Sequence, residues 1–225
     1  MKLFFKLAQI AFFVLPLLAM RQDKPLKVIF FGDSITQAGV NPTGYITQMG
    51  EMLKAKNQGA QYELVGAGIG GNKVYDLYLR LEDDVLSKKP DIVFIYVGIN
   101  DVWHKASSGT GTDADKYVKF YEALIRKMKA QNIRVIVCTP TVIGERNDNS
   151  NQQDGDLNQY SKLIREIATR NGLQLCDLRK HFTEYLAQNN PENKEKGILT
   201  TDRVHLTEAG NKFLAEKMME ALVQK

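Results

Sequence analysis

The stretch Val28-Ile-Phe-Phe-Gly32-Asp33-Ser34-Ile-Thr36 decides the fold of this chain and the place of its chemistry. A run of β-branched and aromatic residues that stops at a glycine is typical of a buried strand entering a turn. In an open α/β sheet, the carboxyl end of the first strand borders the crevice where ligands bind. Ser34 is therefore expected at that crevice and at the start of a helix, where backbone N–H groups are unpaired. It could act there as a nucleophile, and the ordinary alternative is a serine that only caps the helix.

Later apolar runs repeat this pattern, and stretches with helical periodicity separate them. Strands are predicted at residues 27–31, 62–65, 92–97, 133–138 and 173–176, and helices at 44–56, 75–86, 116–130, 157–170, 178–188 and 208–223. The continuous apolar run 92–97 is typical of a central strand. The alternation predicts an α/β fold with a parallel sheet covered on both faces, right-handed crossovers and a flavodoxin-like strand order. Residues 106–112 and 143–155 are predicted to be polar loops.

The first twenty residues differ from the rest of the chain. Lys2 and Lys6 precede a short apolar run that ends near Ala19, a pattern typical of a secretory signal peptide. A bilayer span needs about 20 apolar residues, so an uncleaved anchor is the less favoured alternative. We expect residues 1–20 to be a signal peptide and residues 21–225 to be one domain. The mature protein is then periplasmic or extracellular, without stable membrane insertion.

Charge and cysteine content give weaker signals. The net charge of +4 falls to +2 without residues 1–20, because that segment holds two lysines and no acid. No basic stripe that would indicate a nucleic-acid partner is visible. Cys138 and Cys176 each end a predicted strand, and buried free thiols are the default expectation. A disulfide is possible if the chain is exported and the two strands are neighbours.

Small and polar residues follow three of the predicted strands directly. Ser34, Gly70-Gly71 and Asn100 each come after a strand, so a parallel sheet places them on one edge, the carboxyl edge. Asp202 and His205 lie just before the last helix, in a loop that could fold over this edge. The five positions are therefore candidates for one site.

Those residue types suit attack by a serine on a carbonyl group. A serine hydroxyl needs a base to take its proton, and the chain holds three histidines, His104, His181 and His205. Asp202 stands three positions before His205, a spacing that lets a carboxylate orient an imidazole and stabilise the imidazolium. The developing oxyanion could be stabilised by the Ser34 N–H, the Gly71 N–H and the Asn100 side-chain amide.

Other interpretations of the same residues are weaker. Residues 66–71 match the dinucleotide-binding pattern G-x-G-x-x-G, but they follow the second strand and no acidic residue ends the next one. Asn100-Asp101 could be an ordinary turn. Asp33, Asp101, Asp202 and His205 could form a hard-metal cluster, yet a metal site would not require the serine, the glycine pair and the asparagine together. His181 is expected on the surface of a helix.

Four blocks in this order resemble the SGNH (GDSL-type) hydrolase family. They are Gly32-Asp33-Ser34-Ile35, Gly68-Ile-Gly-Gly71-Asn72, Gly98-Ile-Asn100-Asp101 and Asp202-Arg-Val-His205-Leu. Each block alone is a weak signal, but four in order are strong, and the resemblance spans Lys27 to the last helix. One departure is Ile35, where many members have leucine. The resemblance implies a three-layer α/β/α fold, a Ser-His-Asp triad and no cofactor or metal.

The resemblance also implies a role for each matching position. Ser34 is the nucleophile, His205 the base and Asp202 the residue that orients it. The Ser34 N–H, the Gly71 N–H and the Asn100 side chain form the oxyanion hole.

These observations predict an exported serine esterase that hydrolyses small acyl esters through an acyl-enzyme intermediate. An acetyl ester on a carbohydrate is the favoured substrate, and Asp33, Trp103 and His104 are predicted substrate contacts. One alternative is a lysophospholipase or thioesterase for longer acyl chains, with an apolar groove near Ile69, Val102 and Trp103. The other is a non-catalytic carbohydrate-binding module on the same fold.

Overall fold

Five parallel strands in the order β2-β1-β3-β4-β5 form the sheet of the computed structural model, which describes residues 24–224. The strands are β1 (Leu26–Gly32), β2 (Tyr62–Gly68), β3 (Ile92–Tyr96), β4 (Arg134–Cys138) and β5 (Gln174–Cys176). The predicted five-stranded parallel sheet and its flavodoxin-like order are confirmed. The predicted signal peptide, residues 1–20, lies outside the described residues.

Eight α-helices are found among the described residues. They are α1 (Ser34–Ala38), α2 (Tyr45–Ala55), α3 (Val74–Asp84), α4 (Ile99–Ser108), α5 (Ala114–Lys129), α6 (Asp154–Asn171), α7 (Leu178–Asn189) and α8 (Glu208–Val223). Helices α2 and α8 pack together, and α3 packs on α5, which packs on α6. The two groups cover the two faces of the sheet, which completes the predicted three-layer α/β/α architecture.

Strands β1, β2 and β3 end in register with one another, at the edge of the sheet where the site residues begin. In the paired strands, Gly32 of β1 lies opposite Gly68 of β2 on one side and Tyr96 of β3 on the other. Strands β1 and β3 are buried on both faces, and Phe30 stacks on Phe94 with ring centroids 4.9 Å apart. The loops that follow β1, β2 and β3 therefore start side by side from a rigid core.

One helix was missing from the sequence prediction. Helix α4 begins at Ile99, directly after β3, where a turn and then a loop at 106–112 were predicted. No side chain caps its first turn, and Gly98, Asn100 and Asp101 are as typical of a turn as of a helix start, so the sequence carries no clear start signal for this helix. The prediction of a loop at 106–112 was wrong for residues 106–108.

The loop after β4 also differs in part from its prediction. Residues 143–155 were predicted to be exposed, and most of them are irregular. Ile143, Gly144 and Glu145 are nevertheless buried, because this part of the segment turns inward over the sheet edge. Its polar second half, from Arg146 to Ser150, is exposed as predicted.

The two cysteines face each other across neighbouring strands. Cys138 of β4 pairs in register with Cys176 of β5, and both are buried free thiols. Burial raises the pKa of the Cys138 thiol well above its usual value. The default expectation of buried free thiols agrees with this geometry.

None of the helices among residues 24–224 is long and apolar enough to span a bilayer.

The contact between the end of β2 and α1 predicts a large difference between two glycine variants. A Cβ at Gly68 would lie 2.1 Å from the backbone nitrogen of Gln37, whereas Gly50 in α2 has no atom within 4 Å of its Cβ position. Gly68→Ala should lower the free energy of unfolding by about 1–3 kcal/mol through overpacking. Gly50→Ala should raise it by roughly 0.5–1 kcal/mol through helix propensity. Urea denaturation measures both, and equal effects would contradict the close approach of α1 to β2.

Candidate active site

Ser34 is the first residue of α1, and Asp33 caps that helix. The carboxylate of Asp33 accepts a hydrogen bond from the Ile35 N–H at 3.0 Å. The Gln37 N–H bonds to the Asp33 carbonyl at 2.9 Å and completes the first turn. The strand end and the cap therefore fix the Ser34 backbone at the carboxyl edge of the sheet, with its side chain partly exposed.

The structure brings Ser34, His205 and Asp202 into one hydrogen-bonded chain. His205 Nε2 lies 3.0 Å from Ser34 Oγ, and His205 Nδ1 lies 2.6 Å from Asp202 Oδ2. Because an ionised carboxylate only accepts hydrogen bonds, this contact assigns the proton of the neutral ring to Nδ1. Nε2 is then free to accept a proton from the Ser34 hydroxyl.

Asp202 is held by backbone as well as by the ring. Its Oδ1 accepts hydrogen bonds from the N–H groups of Val204 and His205, at 3.1 and 2.8 Å. Partial burial acts to raise its pKa, but the hydrogen bonds from the His205 ring and from these N–H groups outweigh burial and hold the pKa below its usual range. Asp202 is therefore ionised at neutral pH, as a residue that stabilises an imidazolium must be.

Two candidate oxyanion donors come from the loops after β2 and β3. Gly71 has a φ of +76°, a conformation that favours glycine, and the described hydrogen bonds of residues 24–224 include none from its N–H. The side chain of Asn100 is almost fully buried and donates one amide hydrogen to the Asn72 carbonyl at 3.1 Å. This bond fixes the amide plane and leaves its second hydrogen for another acceptor.

Arg80 was not predicted as a site residue, yet it joins the strand ends beneath the site. Its guanidinium donates to the carbonyl of Gly32 at 2.7 Å and to that of Ala67 at 3.0 Å. It also donates to Asn72 Oδ1 at 2.7 Å. Arg80 also forms an ion pair with Asp84, four residues later on α3, at 2.6 Å. That spacing is a local sequence signal, but it does not indicate the contacts with the two carbonyls.

Trp103 and His104, on α4, lie beside the chain of three residues. The ring centroids of Trp103 and His205 are 6.4 Å apart. A Cβ at Gly71 would lie 3.8 Å from Cε1 of His104. Partial burial and the charge of Lys73 lower the pKa of His104, so its ring is neutral at pH 7. Both predicted substrate contacts thus border the space above Ser34.

Two other predicted positions have different surroundings. Asp33 was predicted to contact substrate, but its side chain is buried and occupied as the cap of α1, so the structure gives it a structural contact instead. Burial raises the pKa of Asp33 to about 6. His181 lies on α7, half-buried, and takes no part in the hydrogen-bonded chain.

In the part of the chain that the structure describes, a cavity lies away from the site residues, and no metal cluster is found. A cavity of about 680 Å³ lies between α2 and β2, and none of the site residues lines it. Residues 24–224 contain no group of three or more histidine, cysteine, aspartate or glutamate side chains that could hold a metal ion.

Comparisons with known proteins agree with this arrangement. The model of the GDSL-like Lipase/Acylhydrolase family matches residues 30–213. The solved structure of the acetyl xylan esterase AlAXEase is 65% identical, covers 88% of this chain and 100% of its own, and has a TM-score of 0.87. The uncharacterized lipoprotein YqeF of Bacillus subtilis (strain 168) is 24% identical over 87% of this chain and 89% of its own length.

An acetylxylan esterase of Geobacillus stearothermophilus is 31% identical over 87% of this chain and 93% of its own. Solved structures of Axe2, an acetylxylan esterase from the same organism, have a TM-score of 0.78 and cover 89% of this chain and 95% of theirs, at 27–28% identity. They include catalytic mutants in which a serine, an aspartate or a histidine is replaced by alanine. The aspartate and the histidine are three positions apart in that protein.

The buried carboxyl of Asp101 predicts a pH-dependent stability. Its Oδ1 accepts from the Val74 N–H at 3.2 Å, whereas its Oδ2 has no hydrogen-bond partner among the described residues. Burial raises its pKa to about 7. Between about pH 4 and pH 8 the folded state binds more protons than the unfolded state, so this group makes stability fall as pH rises.

Asp101→Asn removes that titration and keeps an acceptor for the Val74 N–H. The variant should match the wild type at about pH 4 and exceed it by a few kcal/mol at about pH 8. Urea denaturation across this range measures the difference. Asp83→Asn, on the exposed face of α3, is the control and should show a constant difference. A constant difference for Asp101→Asn as well would contradict a raised pKa.

Proposed function

The chain belongs to the GDSL-like lipase/acylhydrolase family and is a carboxylic ester hydrolase, and we propose that it removes acetyl groups from carbohydrates by a Ser-His-Asp mechanism. The observation that carries the mechanism is the hydrogen-bonded chain from Ser34 Oγ through the His205 ring to Asp202, at 3.0 and 2.6 Å. The acetyl xylan esterase activity of a 65% identical relative supports the substrate class.

In the first half of the reaction, His205 Nε2 takes the hydroxyl proton as Ser34 Oγ attacks the acetyl carbonyl carbon. The tetrahedral intermediate collapses, the bond to the sugar oxygen breaks, and the imidazolium returns its proton to that oxygen. The products of this half are the free sugar hydroxyl and an acetyl-serine. Asp202 stays ionised and stabilises the imidazolium.

In the second half, water replaces the sugar. His205 takes a proton from the water as the water oxygen attacks the acetyl-serine carbonyl carbon. The second tetrahedral intermediate then collapses: the bond to Ser34 Oγ breaks, the imidazolium returns its proton to that oxygen, and acetate leaves. The exposed position of the His205 ring supports this role, because water can reach Nε2 once the sugar has left.

The negative oxygen of both intermediates is assigned to three donors. They are the N–H of Ser34, the N–H of Gly71 and the second amide hydrogen of Asn100. Arg80 and the Asn100–Asn72 hydrogen bond hold two of the contributing loops in place before the substrate arrives. Donors that are already oriented cost no reorganisation during the reaction, which is the source of their catalytic effect.

The catalytic mutants of Axe2 support these assignments. The residue types replaced there are those of Ser34, Asp202 and His205, and the three-residue spacing between aspartate and histidine is the same. Trp103 and His104 are assigned to the sugar, since an exposed aromatic edge and a neutral imidazole can stack on it and form hydrogen bonds with it. Asp33 is left out of this assignment because it is buried.

The two alternatives gain less support. A longer acyl chain was predicted to require an apolar groove at Ile69, Val102 and Trp103, but Val102 is buried and cannot line one. The ester hydrolase family to which the chain belongs argues against the non-catalytic binding module. Export stays a proposal that rests on residues 1–20, and the lipoprotein name of a relative is compatible with it.

Ester hydrolysis by the protein and by Ser34→Ala tests the proposal. The wild type should cleave p-nitrophenyl acetate far faster than p-nitrophenyl octanoate and should release acetate from acetylated xylooligosaccharides. Ser34→Ala should lose about 10⁴-fold or more of kcat, because no acyl-enzyme can form. Full activity in Ser34→Ala would reject the nucleophile, and a preference for octanoate would reject the acetyl substrate.

Asn100→Ala tests the oxyanion assignment separately. Loss of one preoriented donor should reduce kcat on p-nitrophenyl acetate by about 10²–10³-fold, because the donor acts mainly in the transition state. KM should change little. Asn171→Ala serves as the matched control, since its side-chain amide donates to Glu122 and to the Ile167 carbonyl and is not assigned to the site. An unchanged kcat in Asn100→Ala would show that the amide does not stabilise the intermediate.

A further inference from the structure

The loop that carries Asp202 and His205 has little regular structure of its own. Residues 197–207, here termed the His205 loop, contain a single isolated bridge, between Thr200 and Leu206. The Thr201 N–H bonds to the His205 carbonyl at 2.7 Å and the Thr207 N–H to the Leu199 carbonyl at 2.9 Å. These bonds tie the loop to itself, so they do not set its height above the sheet edge where Ser34 lies.

One buried carboxylate holds the start of this loop. Glu145 is fully buried, and its carboxylate accepts hydrogen bonds from three successive backbone N–H groups, those of Ile198 (2.9 Å), Leu199 (2.7 Å) and Thr200. The Thr200 hydroxyl donates to it as well, at 2.8 Å. Backbone dipoles directed at an anion in this way make strong, charge-assisted hydrogen bonds.

The charge of Glu145 has no cationic partner in the part of the chain that the structure describes, because no ion pair there includes it. Burying an ionised carboxylate is expensive unless hydrogen bonds replace its water. Four donors from one loop do so here. Because all four hydrogen bonds come from residues 198–200, they fix the position of this segment relative to Glu145.

The backbone of Glu145 is itself fixed, by the end of α7 and the segment that follows it. It lies seven residues after the end of β4, and its N–H bonds to the Glu195 carbonyl at 2.9 Å. Its carbonyl accepts from Asn190 Nδ2 at 2.8 Å. The N–H of the preceding Gly144 reaches the Arg203 carbonyl, between Asp202 and His205, at 2.9 Å. The segment after β4 therefore binds the His205 loop at two points, at residues 198–200 and at Arg203.

We propose that Glu145 is a positioning residue for the esterase reaction, and that its carboxylate sets the distance between His205 Nε2 and Ser34 Oγ. The inference rests on the proposed roles of Ser34 and His205. Thr200, which makes two of the four contacts, lies two residues before Asp202. A displacement of the loop moves Asp202 and the ring together, away from the serine. A misplacement of about 1 Å can cost a factor of up to about 10² in rate.

Glu145→Gln tests the proposal with little change of shape. The amide keeps one acceptor oxygen but turns an NH₂ group toward one of the loop N–H groups, so two donors face each other. We expect kcat on p-nitrophenyl acetate to fall roughly tenfold, because the geometry of proton transfer is disturbed. KM should change by less than about twofold, because Glu145 touches no part of the substrate space.

Glu122→Gln is the matched control. The Glu122 carboxylate accepts hydrogen bonds from Asn171 and Arg170 and connects α5 to the end of α6. Helix α6 leads into the amino end of β5, and Ser34 lies at the carboxyl ends of the strands. This variant makes the same chemical change at a structural contact. It should lose thermal stability and keep the wild-type kcat.

The proton on His205 Nδ1 supplies a readout that does not depend on turnover. A proton shared with Asp202 over 2.6 Å gives a downfield NMR resonance, and the chain holds only three histidines to assign. This resonance should shift or broaden in Glu145→Gln and stay in place in Glu122→Gln. If Glu145→Gln does not fold, Thr200→Val removes one of the four donors and should lower kcat by about threefold.

The proposal is overturned if Glu145→Gln, or Thr200→Val in its place, keeps the wild-type kcat and an unshifted His205 resonance. Glu145 is then a stabilising residue only. Failure of the proposed function has a different outcome. In that case the wild type cleaves no ester, or Ser34→Ala remains active, while the resonance still reports whether Glu145 orients His205.

Discussion

The site depends on the register in which β1 lies between β2 and β3. Gly32 is level with Gly68 and Tyr96, so the three loops that follow leave the sheet at the same height. A Cβ at Gly32 would lie 2.4 Å from both the Thr36 hydroxyl and the Tyr96 carbonyl oxygen. The absence of that atom lets α1 fold directly back over the strand ends. Ser34 is consequently fixed by backbone packing before any side chain of the site contributes.

Carboxylates that accept hydrogen bonds from backbone N–H groups then fix the loops. Asp33 caps the helix of Ser34, and Asp101 binds the first residue of α3, just after the Gly71 loop. Asp202 binds the two N–H groups that follow it, and Glu145 binds three more at the start of the same loop. Asp202 and Glu145 each hold two or more N–H groups at once, and Asp33 and Asp101 hold one each, so every loop is constrained by hydrogen bonds to an acidic side chain. The burial that makes these contacts strong also raises the pKa of Asp33 and Asp101.

The sequence was sufficient to predict residues that directly follow a strand or that pair with a neighbour close in the chain. The strands and their order came from apolar runs, and the residues directly after them came to one edge because parallel strands share a direction. The pairing of Asp202 with His205 is local, so a spacing of three was enough to indicate it. Helix α4 was missed because its first turn lacks a side-chain cap and its small and polar residues are equally typical of a turn. Asp33 was predicted to contact substrate and is found buried as a helix cap, two roles that look alike in a linear motif.

The roles of Arg80 and Glu145 at the site could not be predicted because the backbone groups that they bind there are distant in sequence, and the local ion pair of Arg80 with Asp84 does not indicate them. Arg80 binds the Gly32 carbonyl 48 positions away, and Glu145 binds loop N–H groups 53 to 55 positions away. A backbone partner leaves no side-chain pattern at the other end, so no motif can record the pair. What the sequence does show is a charged residue, Glu145, that closely follows the apolar pair Val142-Ile143. Such a residue must find its hydrogen bonds inside the fold. In a site built from loops, the backbone of those loops is where the unpaired donors and acceptors are, so a buried charge that lacks an ionic partner is a good candidate for a positioning residue.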